Sequence, residues 1–113
     1  MDIDTALNKL VLSLQPSDPY KIILFGSHAN GTPNEHSDID LMVILDNDHV
    51  SKTYQERLDK RVYVRTLVLE VNREYPLDLL VYSKAELEKV KEYGNTFVID
   101  IEKTGKVIYE KNS

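Results

Sequence analysis

Residues 20–45 read YKIILFGSHANGTPNEHSDIDLMVIL, and the rest of the chain is organised around this stretch. Two apolar runs, residues 21–25 and 38–45, flank a polar loop and predict two strands. The second run begins with Asp38 and Asp40, and alternate residues of a strand point to the same face. Two like charges at the start of a buried strand repel each other and resist desolvation. Because a divalent cation would remove that conflict, the pair predicts a metal site.

The turn after the first strand carries a second signal. Gly26 lets the backbone turn sharply and approach a ligand closely. Ser27 adds a hydroxyl and an N–H group at the start of a predicted helical turn, which suits phosphate binding. A phosphate-binding turn followed by a carboxylate cation site is typical of a site for a metal-bound nucleoside triphosphate.

These residues resemble the signature of the minimal nucleotidyltransferases, a family within the DNA polymerase beta superfamily. The matching positions are Gly26, Ser27, Ala29 and Gly31, followed by Ser37, Asp38, Ile39, Asp40 and Leu41. The likeness extends over most of the chain, through a later strand with one Asp and a closing Gly-x-x-x-Tyr-Glu segment at residues 105–110. One position departs from the pattern: Asn30 stands where the family often has Arg, so that residue's phosphate or partner contact is not carried over.

The resemblance implies a mechanism with two Mg²⁺ ions that bridge the carboxylates and the triphosphate. One ion activates the acceptor hydroxyl and the other steadies the leaving pyrophosphate. By this likeness Asp38 and Asp40 hold both ions, and Asp78 holds the catalytic ion. Asp78 is also the best candidate to accept the proton of the attacking hydroxyl. Gly26 and Ser27 would hold the β- and γ-phosphates.

Structural interpretations of the same carboxylates stay open. Asp38 and Asp40 could be solvated side chains at the mouth of a strand. Asp78 lies within the apolar run Pro76-Leu77-Asp78-Leu79-Leu80, where an unpaired carboxylate inside a sheet would be costly. It could therefore form a salt bridge with a helix Arg or occupy an edge position that faces water.

The predicted reaction moves a nucleoside monophosphate, most simply AMP from ATP, to an acceptor hydroxyl. A chain of 113 residues leaves little room for an acceptor-binding domain, so we expect another protein to supply the acceptor. Minimal nucleotidyltransferases of this size resemble the antitoxin half of a two-protein system. In that family the partner is an all-helical HEPN ribonuclease, and the antitoxin can attach AMP to a tyrosine of the toxin. The assembly could be a homo- or a hetero-oligomer.

Two other functions are alternatives to this one. The chain could be a docking module that blocks its partner or binds nucleotide without transfer, an interpretation that Asn30 keeps open. A costly acidic cluster argues against it, since docking alone needs no such cluster. A transferase acting on antibiotics would need a second domain.

Composition excludes several classes of site and partner. The net charge of −5 argues against non-specific nucleic-acid binding, which needs a basic surface. The absence of Cys excludes disulfides and thiolate zinc sites. Because no apolar run approaches the ~20 residues that span a bilayer, we expect no membrane segment and a cytoplasmic location. The length predicts one domain over residues 1–113.

The order of elements predicts an α+β fold. The pattern is α-β-β-α-β-α-α-β, with a helix from about residue 3, a long helix over residues 53–73, and later strands at residues 77–82 and 106–109. We expect a small mixed sheet with helices packed mainly on one face, as in the polymerase beta-like nucleotidyltransferase fold that the resemblance implies. The long helix carries Arg57, Lys60, Arg61, Arg65 and Arg73, which we interpret as a solvated face.

The three histidines give a weaker signal. None has the paired spacing of a zinc site. His28 follows Ser27 and could contact phosphate, although a surface position in the turn fits equally well. His36 and His49 are predicted to face solvent in loops.

Overall fold

The computed structural model describes residues 1–31 and 38–112. The predicted loop that precedes the second strand, with His36 and the motif residue Ser37, lies outside the described residues.

The observed elements keep the predicted order, with a short additional helix between the first two strands and the long helix divided in two. The helices are α1 Ile3–Ser13, α2 Ser27–Asn30, α3 Tyr54–Leu67, α4 Leu69–Glu74, α5 Lys84–Glu92 and α6 Thr96–Thr104, with a 3-10 turn at Gln15–Ser17. The strands are β1 Pro19–Phe25, β2 Ile39–Leu45, β3 Leu77–Ser83 and β4 Lys106–Glu110. No helix within residues 1–31 and 38–112 is long and apolar enough to cross a membrane.

The four strands form one mixed sheet in the order β3-β2-β1-β4. Strand β1 runs antiparallel to β2 and β4, whereas β2 and β3 are parallel. A parallel pair requires a long crossover connection, which α3 and α4 provide here. The predicted α+β class with a mixed sheet is confirmed.

Helices cover both faces of the sheet, which adds a second layer to the predicted arrangement with helices mainly on one face. Alternate residues of β2 divide between two cores because a strand alternates its side chains. Leu41 and Val43 pack in a core with residues of α1, α3 and α4. Met42 and Ile44 pack in a smaller core with residues of α5 and α6.

The helix predicted over residues 53–73 is divided in two. Helix α3 ends before Val68, whose φ of −114° and ψ of 17° are not helical, and α4 begins at the next residue. The Val68 N–H donates to the Arg65 carbonyl at 3.1 Å, which tightens the last turn. Val64 and Val68 are both buried, so packing against the sheet directs the chain on either side of the break, and the slightly low helix propensity of β-branched residues makes the break less costly.

Glu86 ties β3, α3 and α5 together. Its carboxylate accepts hydrogen bonds from the backbone N–H groups of Ser83 at 2.9 Å and Ser51 at 3.0 Å, and it pairs with Lys60. The Ser83 hydroxyl accepts from the Glu86 N–H, which completes the capping box that opens α5. Burial opposes ionisation of Glu86, but these partners outweigh it and lower the pKa to about 2.

A group with a depressed pKa in the folded state stabilises the protein above its unfolded pKa. We therefore expect Glu86→Gln to lower the free energy of unfolding by about 2 kcal/mol at pH 7. This difference should shrink as the pH falls from about 4.5 towards 2, where the wild-type carboxylate also becomes neutral. Urea denaturation across that range measures it. Glu88→Gln, on the exposed side of α5, is the control and should lower the free energy of unfolding by less than about 0.5 kcal/mol. If the loss of stability in Glu86→Gln does not change with pH, the stabilising role of the ionised Glu86 carboxylate is contradicted.

Candidate active site

The chain leaves β1 through the turn that the sequence singled out. Gly26 has φ 74° and ψ −155°, a conformation that is open to glycine and rarely to other residues. Helix α2 begins at Ser27, and the N–H groups of Ala29 and Asn30 both donate to the Gly26 carbonyl at 3.1 Å. Gly31 ends this short helix with φ 73°. The turn therefore places Ser27 directly after the end of a central strand.

Asp40 lies beside this turn, at the start of β2. It is opposite Phe25 on β1 and opposite Asp78 on the parallel strand β3. Residues that are register partners on neighbouring strands point to the same face, so the carboxylates of Asp40 and Asp78 lie side by side. Burial alternates along β3, so Asp78 shares the less buried face of the strand with Leu80 and Tyr82.

Electrostatics links the three predicted carboxylates. Burial raises the pKa of Asp40, and the negative charges of Asp78 and Asp38 raise it further. His28 acts in the opposite direction and lowers this pKa, which places it near the same carboxylate. The repulsion and desolvation that the sequence indicated for this cluster are therefore present around Asp40.

Asp38 and Asp78 are exposed, whereas Asp40 is half-buried. The salt bridge between Asp78 and a helix Arg, one of the open interpretations, is not found among residues 1–31 and 38–112. Asp78 occupies the other open position instead, because β3 is at the edge of the sheet and Asp78 faces water. Exposure removes the cost that an unpaired carboxylate in a buried strand would carry.

Gly26 and Asp40 are in closer contact than the sequence indicated. A Cβ atom added to Gly26 would lie 2.1 Å from Oδ2 of Asp40, well inside van der Waals contact. Glycine at this position is thus required by the carboxylate as well as by the backbone angles. Only the pairing of β1 with β2 reveals this contact.

A pocket of about 200 Å³ adjoins the turn. Its wall includes Gly26, Asn30 and two aromatic rings, Phe25 and Phe97, which meet edge to face at 5.8 Å. Phe97 is 56% exposed, so an apolar surface is available beside the predicted phosphate-binding turn. The sequence did not indicate Phe97, because it lies on α6, far from the motif in the chain.

The oxygen donors of the site suit a hard cation such as Mg²⁺. Three carboxylates lie at one end of two neighbouring strands, and the burial of Asp40 beside like charges favours a positive ion there. In the described part of the chain, no three Asp, Glu or His side chains are already gathered closely enough to hold an ion. Because like charges repel, the three carboxylates can come together around one point only with a positive charge between them.

The other predicted polar residues lie elsewhere. His49 is exposed and faces Glu56 at 3.4 Å, as a surface loop residue would. Arg57, Lys60 and Arg61 line a groove along β3 and are not part of the predicted phosphate-binding turn. Asn30, at the position where the family often has Arg, is exposed at the end of α2.

Comparison with known proteins agrees with this arrangement. The family model of the nucleotidyltransferase domain matches residues 5–108. The chain therefore belongs to the nucleotidyltransferase domain family.

Individual relatives point the same way. A protein of Methanocaldococcus jannaschii, provisionally named protein adenylyltransferase MJ1305, is 31% identical over 96 residues. That alignment covers 85% of this chain and 62% of the relative, so the chain spans about three fifths of that protein.

Two solved structures share the fold. A crystal structure of a toxin–antitoxin with AMP-PNP matches with a TM-score of 0.58 and 20% sequence identity. The match covers 94% of this chain and 74% of the chain in that structure. A protein from Sulfolobus solfataricus, provisionally described as a nucleotidyltransferase, matches with a TM-score of 0.55 and 20% sequence identity. That match covers 93% of this chain and 78% of the Sulfolobus chain.

Proposed function

We propose that this chain transfers AMP from ATP to a hydroxyl of a partner protein, in a reaction that depends on Mg²⁺. One observation carries the proposal: parallel pairing of β2 and β3 puts Asp40 beside Asp78, and Asp40 contacts the backbone of the Gly26 turn. The proposed cation site and the proposed phosphate-binding turn would then adjoin each other, which is the arrangement that a metal-bound triphosphate requires.

Each residue has a definite task in this scheme. Asp38, Asp40 and Asp78 would hold two Mg²⁺ ions, which neutralise the charge of the triphosphate and lower the pKa of a bound hydroxyl. The N–H groups and hydroxyl of the turn at Gly26 and Ser27 would bind the β- and γ-phosphates. Asp78 would take the proton of the acceptor hydroxyl. The oxygen of that hydroxyl forms a bond to the α-phosphorus as the α–β phosphoanhydride bond breaks. Pyrophosphate leaves.

The acceptor we propose is a tyrosine of a HEPN toxin, with this chain as the antitoxin. The name of the Methanocaldococcus relative supports a protein acceptor, and the toxin–antitoxin neighbour supports a partner and an adenine nucleotide. The tyrosine acceptor and the antitoxin role are more specific than membership of the nucleotidyltransferase family. The Methanocaldococcus relative is longer than this chain, and the toxin–antitoxin neighbour is only 20% identical to it. A cytoplasmic location stays a prediction.

The direct test is the mass of the partner. The chain is purified with any protein that accompanies it, and the mixture is treated with Mg²⁺ and α-labelled ATP. We expect the partner to gain the mass of one or more AMP units and the label on a tyrosine, and neither without Mg²⁺. Equal labelling in the presence of a chelator would contradict the metal dependence.

The phosphate-binding turn has its own test. Gly26→Ala should lower Mg-ATP affinity at least ~10-fold, because the new Cβ displaces the Asp40 carboxylate and strains the turn. Gly26→Val, with a β-branched side chain, should abolish binding. Calorimetric titration measures both. Gly94→Ala is a matched control, since Gly94 also has a positive φ of 79° but an added Cβ meets nothing within 4 Å. Unchanged affinity in Gly26→Val would place the phosphate site elsewhere.

The competing function is docking without transfer, and Asn30 is the observation that favours it. An Arg at this position would bring a positive charge to the end of α2, and Asn does not. A docking module would neutralise its partner without changing the partner's mass. The behaviour of an Asp78 variant separates the two functions.

A further inference from the structure

A groove of about 350 Å³ runs along the outer edge of β3, separate from the phosphate-binding turn. Its floor is apolar and includes Leu79, Leu80 and Val81. One wall is α3, with Arg57 and Arg61, and the other is α5, with Lys89 and Val90. Neither the nucleotide chemistry nor the packing of the sheet accounts for this groove.

Part of the β3 backbone that borders the groove has no partner strand. The Pro76 carbonyl accepts from the Ile39 N–H, so alternate residues from 76 onwards face β2 and the residues between them face outwards. At the ends of the strand the outward N–H groups of Leu77 and Ser83 are capped by side chains of Asn72 and Glu86.

The middle of the edge is unpaired, with little surface exposed: Leu79 is 3% and Val81 8% exposed. Within residues 1–31 and 38–112, no side chain caps the backbone of Leu79 or Val81. An extended segment could therefore pair with these two residues.

The walls of the groove are positively charged, although the chain as a whole carries a charge of −5. Lys60 is neutralised by Glu86. Arg57, Arg61 and Lys89 are exposed, and in the described part of the chain none of them forms an ion pair. A concentration of unpaired positive charge above an apolar floor favours a ligand that has both carboxylates and apolar side chains.

We propose that the β3 groove binds an extended acidic segment of a partner protein, which adds to the sheet as a strand beside β3. Main-chain hydrogen bonds to Leu79 and Val81 would hold the segment. Because side chains alternate between the two faces of a sheet, its carboxylates would meet the Arg residues of α3 while its apolar side chains lie on the α5 side, beside Val90. Such a segment would run towards Asp78 at the start of β3, and only this last consequence rests on the proposed function.

Other occupants fit the groove less well. A second copy of this chain would bring the same basic residues together, and charged residues at a sheet edge oppose such pairing. RNA would gain little from stacking, since Tyr82 is the one aromatic residue among the described residues that line the groove. Strand pairing also uses the open backbone, which RNA would leave unpaired.

The test measures binding of the full chain, without ATP, to a short fluorescent peptide in which Glu alternates with Val. We expect saturable binding that weakens with added salt. A peptide with Lys in place of Glu should bind at least ~10-fold more weakly, because like charges then meet. The Glu–Val peptide N-methylated at alternate residues should lose a similar factor, since it cannot donate the hydrogen bonds of a strand.

Protein variants locate the site. Arg57→Glu and Arg61→Glu, both on the α3 wall, should each lower affinity ~10-fold. Arg73→Glu makes the same change of charge on α4, outside the groove, and should leave affinity within about twofold. The comparison with the N-methylated peptide uses the wild-type chain, so it does not depend on whether a variant folds.

The proposal is overturned if the Glu–Val peptide does not bind or if N-methylation has no effect. It is overturned equally if single-stranded RNA competes at comparable concentration, or if the chain forms a dimer that Arg61→Glu dissociates. Loss of AMP transfer with peptide binding intact would instead count against the proposed function alone.

Discussion

Asp40→Asn is expected to abolish nucleotidyl transfer and to leave the fold intact. Asp40 is the central carboxylate of the site, flanked by Asp38 and Asp78 and in contact with the Gly26 turn. Losing a ligand of both proposed ions should cost several kcal/mol of transition-state stabilisation, which corresponds to a loss of at least ~10³-fold in rate. Asp38→Asn should act in the same direction.

Stability should respond in the opposite way. Burial and neighbouring negative charges raise the pKa of Asp40, so its ionised form opposes folding at neutral pH. The melting temperature of Asp40→Asn should therefore equal or exceed that of the wild type without added metal. Asp48→Asn, an identical change at an exposed position away from the site, is the control and should alter neither property. Wild-type transfer by the Asp38→Asn, Asp40→Asn double variant would refute the metal assignment.

Asp78→Asn is expected to separate chemistry from binding. Asp38 and Asp40 would still hold the ion bound to the triphosphate, so calorimetry should show nearly unchanged Mg-ATP affinity. Transfer to the partner should nonetheless fall by ~10²-fold or more, the usual scale for loss of a positioned base. Because Asp78 is exposed and forms no ion pair with any described residue, its replacement should not lower the melting temperature.

Two outcomes would count against this role. A lower melting temperature with an unchanged rate per folded molecule would make Asp78 a structural residue. A partner neutralised equally well by wild type and Asp78→Asn, without gaining mass from either, would favour docking over catalysis. The mass of the partner and the melting curve of the variant are measured on the same samples.

Local signals in the sequence were sufficient for most elements. Asp2 accepts from the Thr5 N–H at 2.8 Å and begins α1, and Asn95 caps α6 in the same way. Thr53 caps α3 by accepting from the Glu56 N–H, whereas the Glu56 carboxylate accepts from the Lys52 N–H and does not close a capping box. These features depend on residues within one or two turns of each other, which is why sequence patterns reveal them.

Interactions between distant segments were harder to predict. The break at Val68 and the second layer of helices depend on how α3, α4, α5 and α6 pack against the sheet. Local propensity for a helix continues through Val68 at only a small cost, so the sequence pattern alone does not show the break.

For the site, the sequence predicted the turn at Gly26 and the alternation of Asp38 and Asp40, because a motif and the period of a strand are local properties, and the family resemblance added Asp78 as a third carboxylate. Packing placed Asp78 beside Asp40, put the Asp40 carboxylate against Gly26, and left the edge of β3 open between two basic walls. Those relations depend on the register of strands joined by a long crossover, and register is selected by burial of the whole sheet and not by the residues of either strand alone.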